Sequence, residues 1–201
     1  MFSIIPTLLD RLRGVHPRLR SWCVYLATGR KFRKFGKHSK LIGAAAIALG
    51  NGVCVGDFCW IEAVTRYKEQ RFTPRFSIGH RVALSDLTHI SCAHRILIGD
   101  DCLLGSKIYI GDHSHGAIGN TFELLHVPPA MRPLSDFAEI VIGEKTWICD
   151  GAVILAGSHI APSSIVAANS VVRLSESRPA LIAGVPARVI RYLDGNDDPD
   201  A

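Results

Sequence analysis

The sequence predicts an all-β solenoid, a β-helix built from units of six residues. Aliphatic residues recur every six positions without a break at Ile142, Ile148, Ile154, Ile160, Val166 and Val172. A small residue stands four positions after each of the first five, at Thr146, Ala152, Ser158, Ser164 and Ser170. A helix places apolar residues every three to four positions and a simple strand every two, so neither explains this period. In a coil with three flat sides, the aliphatic residues point to the axis and the small residues fit the crowded corners.

The same period is found upstream, with two interruptions. It includes Leu49, Val55, Ile61, Ile78, Leu84 and Ile90 and, after a slip of two residues, Ile98, Leu104 and Ile110. Residues 66–75 and 111–139 leave the period, and such departures usually form surface insertions on the binding face of a solenoid. A loop as long as the second usually has a function. An inert surface loop remains an equal alternative for the first.

Composition predicts one globular domain. The chain has 201 residues, of which 48% are hydrophobic and 20% are charged, as is typical of soluble folds. The longest apolar run, residues 41–49, is about half of the roughly 20 residues that span a bilayer. No small-residue cleavage site follows the interrupted N-terminal stretch "FSIIPTLLDRLR". We therefore expect a cytoplasmic protein without a transmembrane helix.

Charge and the extent of the repeat together predict three parts along the chain. Residues 1–40 contain ten Lys or Arg and only Asp10 as an acid. This basic, amphipathic and helical segment is predicted either to lie against anionic lipid at the inner membrane or to cap the open end of the β-helix. Residues 41–176 form the predicted β-helix with its two insertions. Residues 177–201 form a C-terminal extension with an acidic tail.

The cysteines and the glycines show no recognisable cofactor pattern. The six cysteines have no CxxC and no paired metal spacing, so we interpret them as structural residues. The chain lacks a Walker loop, a Rossmann glycine pattern and a nucleic-acid-binding module. We therefore expect no nucleic-acid partner.

Longer motifs show a family resemblance. The stretch "IGEKTWICDGAVILAGSHIAPSSIVAANSVV" and the following "IAGVPARVIR" resemble the hexapeptide-repeat acyltransferases, and the likeness covers about residues 41 to 192. It implies a left-handed parallel β-helix that usually assembles as a homotrimer. "IGDHSHG" and "PPAMRPL" resemble the branch that O-acetylates the sugars of lipopolysaccharide, capsule or exopolysaccharide.

The resemblance implies transfer of acetyl from acetyl-CoA to a hydroxyl of a cell-surface glycan or its lipid-linked precursor, without a metal. A sugar hydroxyl is a poor nucleophile until a base removes its proton, and histidine titrates near neutrality. His113 aligns with the family's catalytic histidine and is the predicted general base. Asp112 or another carboxylate would orient its ring. His115 would position the acceptor or stabilise the loop.

Two further residues are candidates for the acceptor side by resemblance. Asp86, in "LSDLTHI", lies where family members place an acceptor-binding polar residue. A turn-forming role is the alternative for this aspartate. Trp147 matches a tryptophan that borders the donor and acceptor pockets, and packing at a coil corner is its alternative.

Coenzyme A is expected along a groove between neighbouring subunits. Gly157 and Ala168 match positions beside the pantetheine arm. Arg188 and Arg191 match basic residues near the nucleotide phosphates, which guanidinium groups bind well. Many relatives have Thr-Lys after the last repeat, whereas this chain has Arg173 and then a leucine. Arg173 is therefore the candidate replacement for one phosphate contact.

Three other functions remain open. The same scaffold could N-acetylate an amino sugar nucleotide, or it could be a non-catalytic solenoid. Carbonic anhydrases of one class share the β-helix and bind zinc through three histidines. Their "GHxxxxH" pattern begins here at Gly79 and His80, but Ser85 stands in the second histidine's place. His89 and His94 have the right separation without the surrounding motif.

Overall fold

The computed structural model describes residues 18–195 of the chain. The first 17 residues of the predicted basic segment and residues 196–201 of the acidic tail lie outside this range. The described part begins with helix α1, residues 18–28. None of its helices is long and apolar enough to cross a membrane.

Short strands wind into three sheets that are parallel except at the end of sheet A, where the last two strands pair antiparallel. Each complete turn of the chain before the last contributes one strand to each sheet. Sheet A contains β1 (Lys34–Phe35), β4 (Cys54–Val55), β9 (Ala83–Leu84), β12 (Leu103–Leu104), β17 (Trp147–Ile148), β20 (Ile165–Val166), β22 (Ala180–Gly184) and β23 (Ala187–Tyr192). Sheet B contains β2 (Lys40–Ile42), β5 (Trp60–Ala63), β10 (His89–Cys92), β13 (Tyr109–Gly111), β18 (Val153–Leu155) and β21 (Val171–Val172). Sheet C contains β3 (Ile47–Leu49), β8 (Arg75–Ile78), β11 (Arg95–Ile98), β16 (Ile140–Ile142) and β19 (His159–Ile160). The predicted β-helix is confirmed.

The aliphatic repeat forms the axis of the coil. Each in-phase residue pairs with the one three units later, as in Ile148 with Val166 and Ile154 with Val172. These four side chains are fully buried. Along each face, every aliphatic side chain therefore stacks on the aliphatic side chain of the next turn. This stacking gives a continuous core, which a single six-residue unit is too short to form by itself.

The small residues lie at the corners between sheets, where a hydroxyl has a structural use. The buried Thr146 hydroxyl donates to the carbonyl of Gly143 at 2.7 Å. The buried Ser158 hydroxyl donates in the same way to the carbonyl of Leu155 at 2.7 Å. The corners therefore accept small polar residues because the turn itself satisfies their hydrogen bonds.

Both insertions leave the coil at the same corner, between sheets B and C. The short one forms an antiparallel hairpin, β6 (Arg66–Tyr67) and β7 (Gln70–Arg71). The long one contains β14 (Ser114–His115), α2 (Thr121–His126), the 3-10 helix η2 (Pro129–Met131) and β15 (Leu134–Ser135). The Gln70 amide forms two hydrogen bonds with the Leu134 backbone, at 3.0 and 2.7 Å. The short insertion therefore supports the long one.

Helix α1 is held against the first turn of the coil. The backbone N–H of Phe35 donates to the buried Ser21 hydroxyl at 2.8 Å, and Val24 packs against the core. The 3-10 helix η1 (Ala44–Ala46) lies nearby, and the Arg30 guanidinium donates to two of its carbonyls at 2.9 and 3.0 Å.

Candidate active site

A buried histidine–aspartate pair lies at the corner where the chain leaves strand β13. His113 Nδ1 is 2.8 Å from Asp112 Oδ1, and the side chains are 7% and 0% exposed. Three consecutive backbone N–H groups, those of Ala93, His94 and Arg95, donate to the Asp112 carboxylate at 2.8–2.9 Å. An ionised carboxylate only accepts, so Nδ1 carries the proton and the other ring nitrogen, Nε2, is a free acceptor.

The environment of Asp112 keeps its carboxylate ionised. Burial alone would raise the pKa of this group, but the hydrogen bonds from His113 and from the backbone of Ala93 and His94 outweigh it. The net result is a pKa below the ordinary value. A negative charge is therefore fixed behind the His113 ring.

Two cavities flank the His113 ring. The wide cavity has a volume of about 310 Å³ and lies between sheet B and the short insertion, with Trp60, Tyr67, His89 and His115 among its lining residues. The narrow cavity has a volume of about 100 Å³ and is lined by Tyr109, Gly111, Ile118, Asp136, Leu155, Ala156 and Arg173, among others. His113 lines both cavities, so molecules bound in the two cavities can contact the same imidazole ring.

A row of rings on the outer face of sheet B leads to this site. The Lys40 ammonium lies 4.7 Å from the Trp60 ring, Trp60 stacks on His89 at 4.8 Å, and His89 meets Tyr109 edge-on at 5.4 Å. Burial, together with the nearby His113, lowers the pKa of His89 despite the opposing charge of Glu62. Sequence reasoning missed Trp60, His89 and Tyr109 as site residues.

His115 lines the wide cavity but is held less firmly than His113. Its Nδ1 is 3.2 Å from the Tyr67 hydroxyl, and the two rings meet edge-on at 5.3 Å. Partial burial and the charges of His113 and Lys68 lower the pKa of His115. The short insertion therefore contributes to the site through Tyr67.

Two of the predicted cofactor residues lie at the same corner as His113. Arg173 follows strand β21 and lines the narrow cavity. Gly157 lies in the turn after β18, where its φ of 86° favours glycine. Its backbone N–H donates to the Glu139 carbonyl at 3.2 Å.

The other predicted residues lie on a different side of the coil. Trp147 is 48% exposed on sheet A, and Arg188 and Arg191 extend from its last strand, β23. Ala168 and Asp86 lie in turns between sheets A and B. The Asp86 carboxylate accepts the backbone N–H of Asp57 at 2.7 Å, which is the turn-forming geometry. None of these five residues lines either cavity beside His113.

The histidines of the zinc alternative do not come together. His80 Nδ1 accepts the backbone N–H of Asn51 at 3.0 Å in a corner turn, whereas His89 belongs to the row of rings. Within residues 18–195, no three His, Cys, Asp or Glu side chains are grouped as a metal site. All six cysteines lie in this range and are free thiols.

The three-sided coil defines the class of fold, a left-handed β-helix, with a buried histidine–aspartate pair at one corner. No family model matches the chain. The chain is 31% identical over 133 residues to the putative acetyltransferase YJL218W of Saccharomyces cerevisiae, covering 53% of this chain and 68% of the relative. The chain belongs to the hexapeptide-repeat acetyltransferase family.

Two further comparisons add to this. The chain is 38% identical over 112 residues to the putative lipopolysaccharide biosynthesis O-acetyl transferase WbbJ of Escherichia coli K12, covering 55% of this chain. It spans only 57% of the length of that relative. The solved structure of AntD, an N-acyltransferase from Bacillus cereus, in complex with dTDP and 3-hydroxybutyryl-CoA, has a TM-score of 0.59 at 19% identity. That likeness covers 79% of this chain and 81% of AntD and shows the shared fold.

Proposed function

We propose that the protein is an O-acetyltransferase that moves acetyl from acetyl-CoA to a sugar hydroxyl of a cell-surface polysaccharide, lipopolysaccharide or lipid-linked precursor. The observation that carries this proposal is the position of His113, which lies between two cavities with Asp112 fixed behind its ring. A transferase needs such a meeting point, because two substrates must reach one base. The names of the relatives support the acetyl group and the hydroxyl acceptor.

The reaction requires no covalent enzyme intermediate. Nε2 of His113 takes the proton of the acceptor hydroxyl while the oxygen attacks the thioester carbonyl carbon. A C–O bond forms, the C–S bond breaks, and the imidazolium returns its proton to the departing coenzyme A thiolate. Asp112 remains ionised throughout and holds the ring in the tautomer that accepts at Nε2.

The two cavities differ in a way that supports one assignment of substrates. The wide cavity presents Glu62, Arg66 and Ser91, which can hydrogen-bond sugar hydroxyls, and it suits the acceptor. The narrow cavity presents Leu155 and Arg173, and it suits the acetyl end of the pantetheine arm. In this arrangement the donor and the acceptor approach His113 from opposite sides.

The predicted site residues lie on two different sides of the coil, and this supports an active site shared between neighbouring subunits. The face that carries Trp147 also exposes Leu103, whereas the long insertion exposes Phe122 and Leu125, which are 71% and 73% accessible. Two different apolar surfaces on one chain suit a head-to-tail contact between subunits, which forms a ring when its rotation closes. We propose a homotrimer in which sheet A of one subunit lies against the His113 corner of the next.

If the active site is shared in a trimer, a variant that dissociates the trimer should also lose activity. We expect the full chain to sediment as a trimer, and the double variant Phe122→Ser, Leu125→Ser to dissociate and lose acetyl transfer, because it removes apolar surface from the interface. Analytical ultracentrifugation and turnover on the same samples measure both. Leu26→Ser is the matched control, because Leu26 is 62% exposed on α1, outside both proposed contact surfaces. A fully active monomer would contradict the shared site.

The function itself is tested by thiol release from acetyl-CoA over a panel of sugars, nucleotide sugars and lipid-linked sugars. The panel pairs each hydroxyl acceptor with the amino sugar of the same ring, so that transfer to oxygen and to nitrogen are separated. We expect release with hydroxyl acceptors and none from His113→Ala. Release only with amino sugar nucleotides would establish the N-acetyltransferase alternative, and an absence of acetyl-CoA binding would favour a non-catalytic solenoid.

A further inference from the structure

Helix α1 carries an apolar stripe that the coil does not cover. Leu19, Trp22, Tyr25 and Leu26 are 54%, 57%, 46% and 62% exposed. Their spacing of three, four and seven residues places them on one side of the helix. The side that carries Ser21 and Val24 faces the first turn of the coil. One side of α1 therefore anchors the helix, and the other presents two aromatic and two aliphatic side chains outward.

Basic side chains surround this stripe. Residues 18–40 contain eight Lys or Arg and no Asp or Glu. Trp22 and Tyr25 line a hollow of about 380 Å³ together with Arg18, Lys31 and Arg33. The cations therefore lie beside the exposed rings, on the same surface, and this part of the chain supplies no acid to neutralise them.

We propose that this surface, formed by the α1 stripe with Arg18, Lys31 and Arg33, docks the protein on an anionic lipid bilayer. Apolar and aromatic side chains on one helix face enter the boundary between headgroups and acyl chains, while adjacent Lys and Arg bind lipid phosphates. Tryptophan and tyrosine suit this boundary because each has an apolar ring and a polar tip. The combination matches a lipid surface in both charge and hydrophobicity.

The docking places the candidate active site near the bilayer. Strands β2, β5, β10 and β13 are successive neighbours in sheet B. The level of His113 is therefore three strand spacings, about 14 Å, from the level of the first turn. A sugar attached to a lipid headgroup could reach the wide cavity across this distance. This consequence rests on the proposed acetyl transfer, whereas the docking surface does not.

Co-sedimentation of the full chain with vesicles tests the docking. We expect binding to phosphatidylcholine vesicles that contain phosphatidylglycerol, little binding to phosphatidylcholine alone, and weaker binding as salt is raised. Lys31→Glu with Arg33→Glu should lower the partition coefficient by at least roughly 30-fold, since losing each basic residue near the surface costs about fivefold and each added acid repels the anionic lipid. Trp22→Ser with Leu26→Ser should lower it by at least tenfold, on the order expected for two lost apolar anchors.

Matched controls separate docking from folding and from chemistry. Lys107→Glu with Lys145→Glu reverses two exposed charges away from α1, and Val185→Ser removes an exposed apolar side chain at the opposite end. Both controls should bind like the unaltered chain. The two docking-surface variants, the charge reversal at residues 31 and 33 and the serine double variant of α1, should keep their thermal midpoint and their thiol release with a soluble acceptor. Equal binding to neutral and anionic vesicles, or unchanged binding by either docking-surface variant, overturns the proposal. Vesicle binding without any acetyl transfer would contradict the proposed function but not the docking surface.

Discussion

Replacing His113 by alanine should lower kcat by roughly 10²–10⁴-fold, the loss expected when a general base is removed. The dissociation constant of coenzyme A should stay near that of the unaltered chain, because the role proposed for the imidazole is proton transfer and not ground-state binding. Steady-state thiol release and calorimetric titration with coenzyme A measure the two quantities. A large drop in kcat with intact binding would assign the chemistry to this ring.

His115→Ala is the comparison variant for this prediction. Its ring is held through the Tyr67 hydroxyl rather than by a buried carboxylate, so we expect its loss to raise the acceptor KM with a smaller effect on kcat. Tyr67→Phe should shift the acceptor KM in the same direction because it removes that hydroxyl. Turnover that survives in His113→Ala but collapses in His115→Ala would reverse the assignment. Survival in both would exclude the pair as the catalytic centre.

The fold was predictable because a period of six can bury all its aliphatic residues together only if they point to the axis of a coil. Ile154 and Val172 stand three units apart in the sequence, and they are neighbours in sheet B. The same repeat could also have predicted the row of rings. Trp60, His89 and Tyr109 each precede an in-phase isoleucine, so a register drawn from the period places them side by side on one face.

The contacts of the candidate site were less accessible to sequence reasoning. The two insertions are separated by two complete turns of the coil, and only the fold shows that both leave the same corner. The contact of Tyr67 with His115 follows from that shared corner. The partners of Asp112 are backbone N–H groups one turn earlier, so no side-chain pattern indicates them. Trp147 and Ala168 lie away from His113, and a single chain cannot bring them to it.

Asp112→Asn should impair both catalysis and stability. An amide in place of the carboxylate either offers an N–H group to His113, which favours the wrong tautomer, or turns that group toward backbone N–H donors. The corresponding change in a serine protease triad lowers kcat by about 10⁴-fold, and we expect a loss of roughly 10²–10⁴-fold here. The buried N–H groups that lose a charged acceptor should destabilise the fold by about 1–3 kcal/mol.

The pH dependence of unfolding distinguishes this role of Asp112 from a general loss of packing. The pKa of Asp112 is lower in the folded chain than the ordinary value of 3.8. Its contribution to stability is therefore fully present above the unfolded pKa and is lost as pH falls through the folded pKa. The difference in thermal midpoint between the unaltered chain and Asp112→Asn should be largest near neutrality and shrink below about pH 4.

Asp101→Asn is the matched control for this prediction, because that carboxylate also has a lowered pKa but is held by Arg81 at a corner turn and lines neither cavity. It should leave kcat close to that of the unaltered chain, since Asp101 does not hold the His113 ring. An Asp112→Asn protein with normal kcat, or with a stability deficit that does not change between neutral and acid pH, would show that the carboxylate does not hold the catalytic ring.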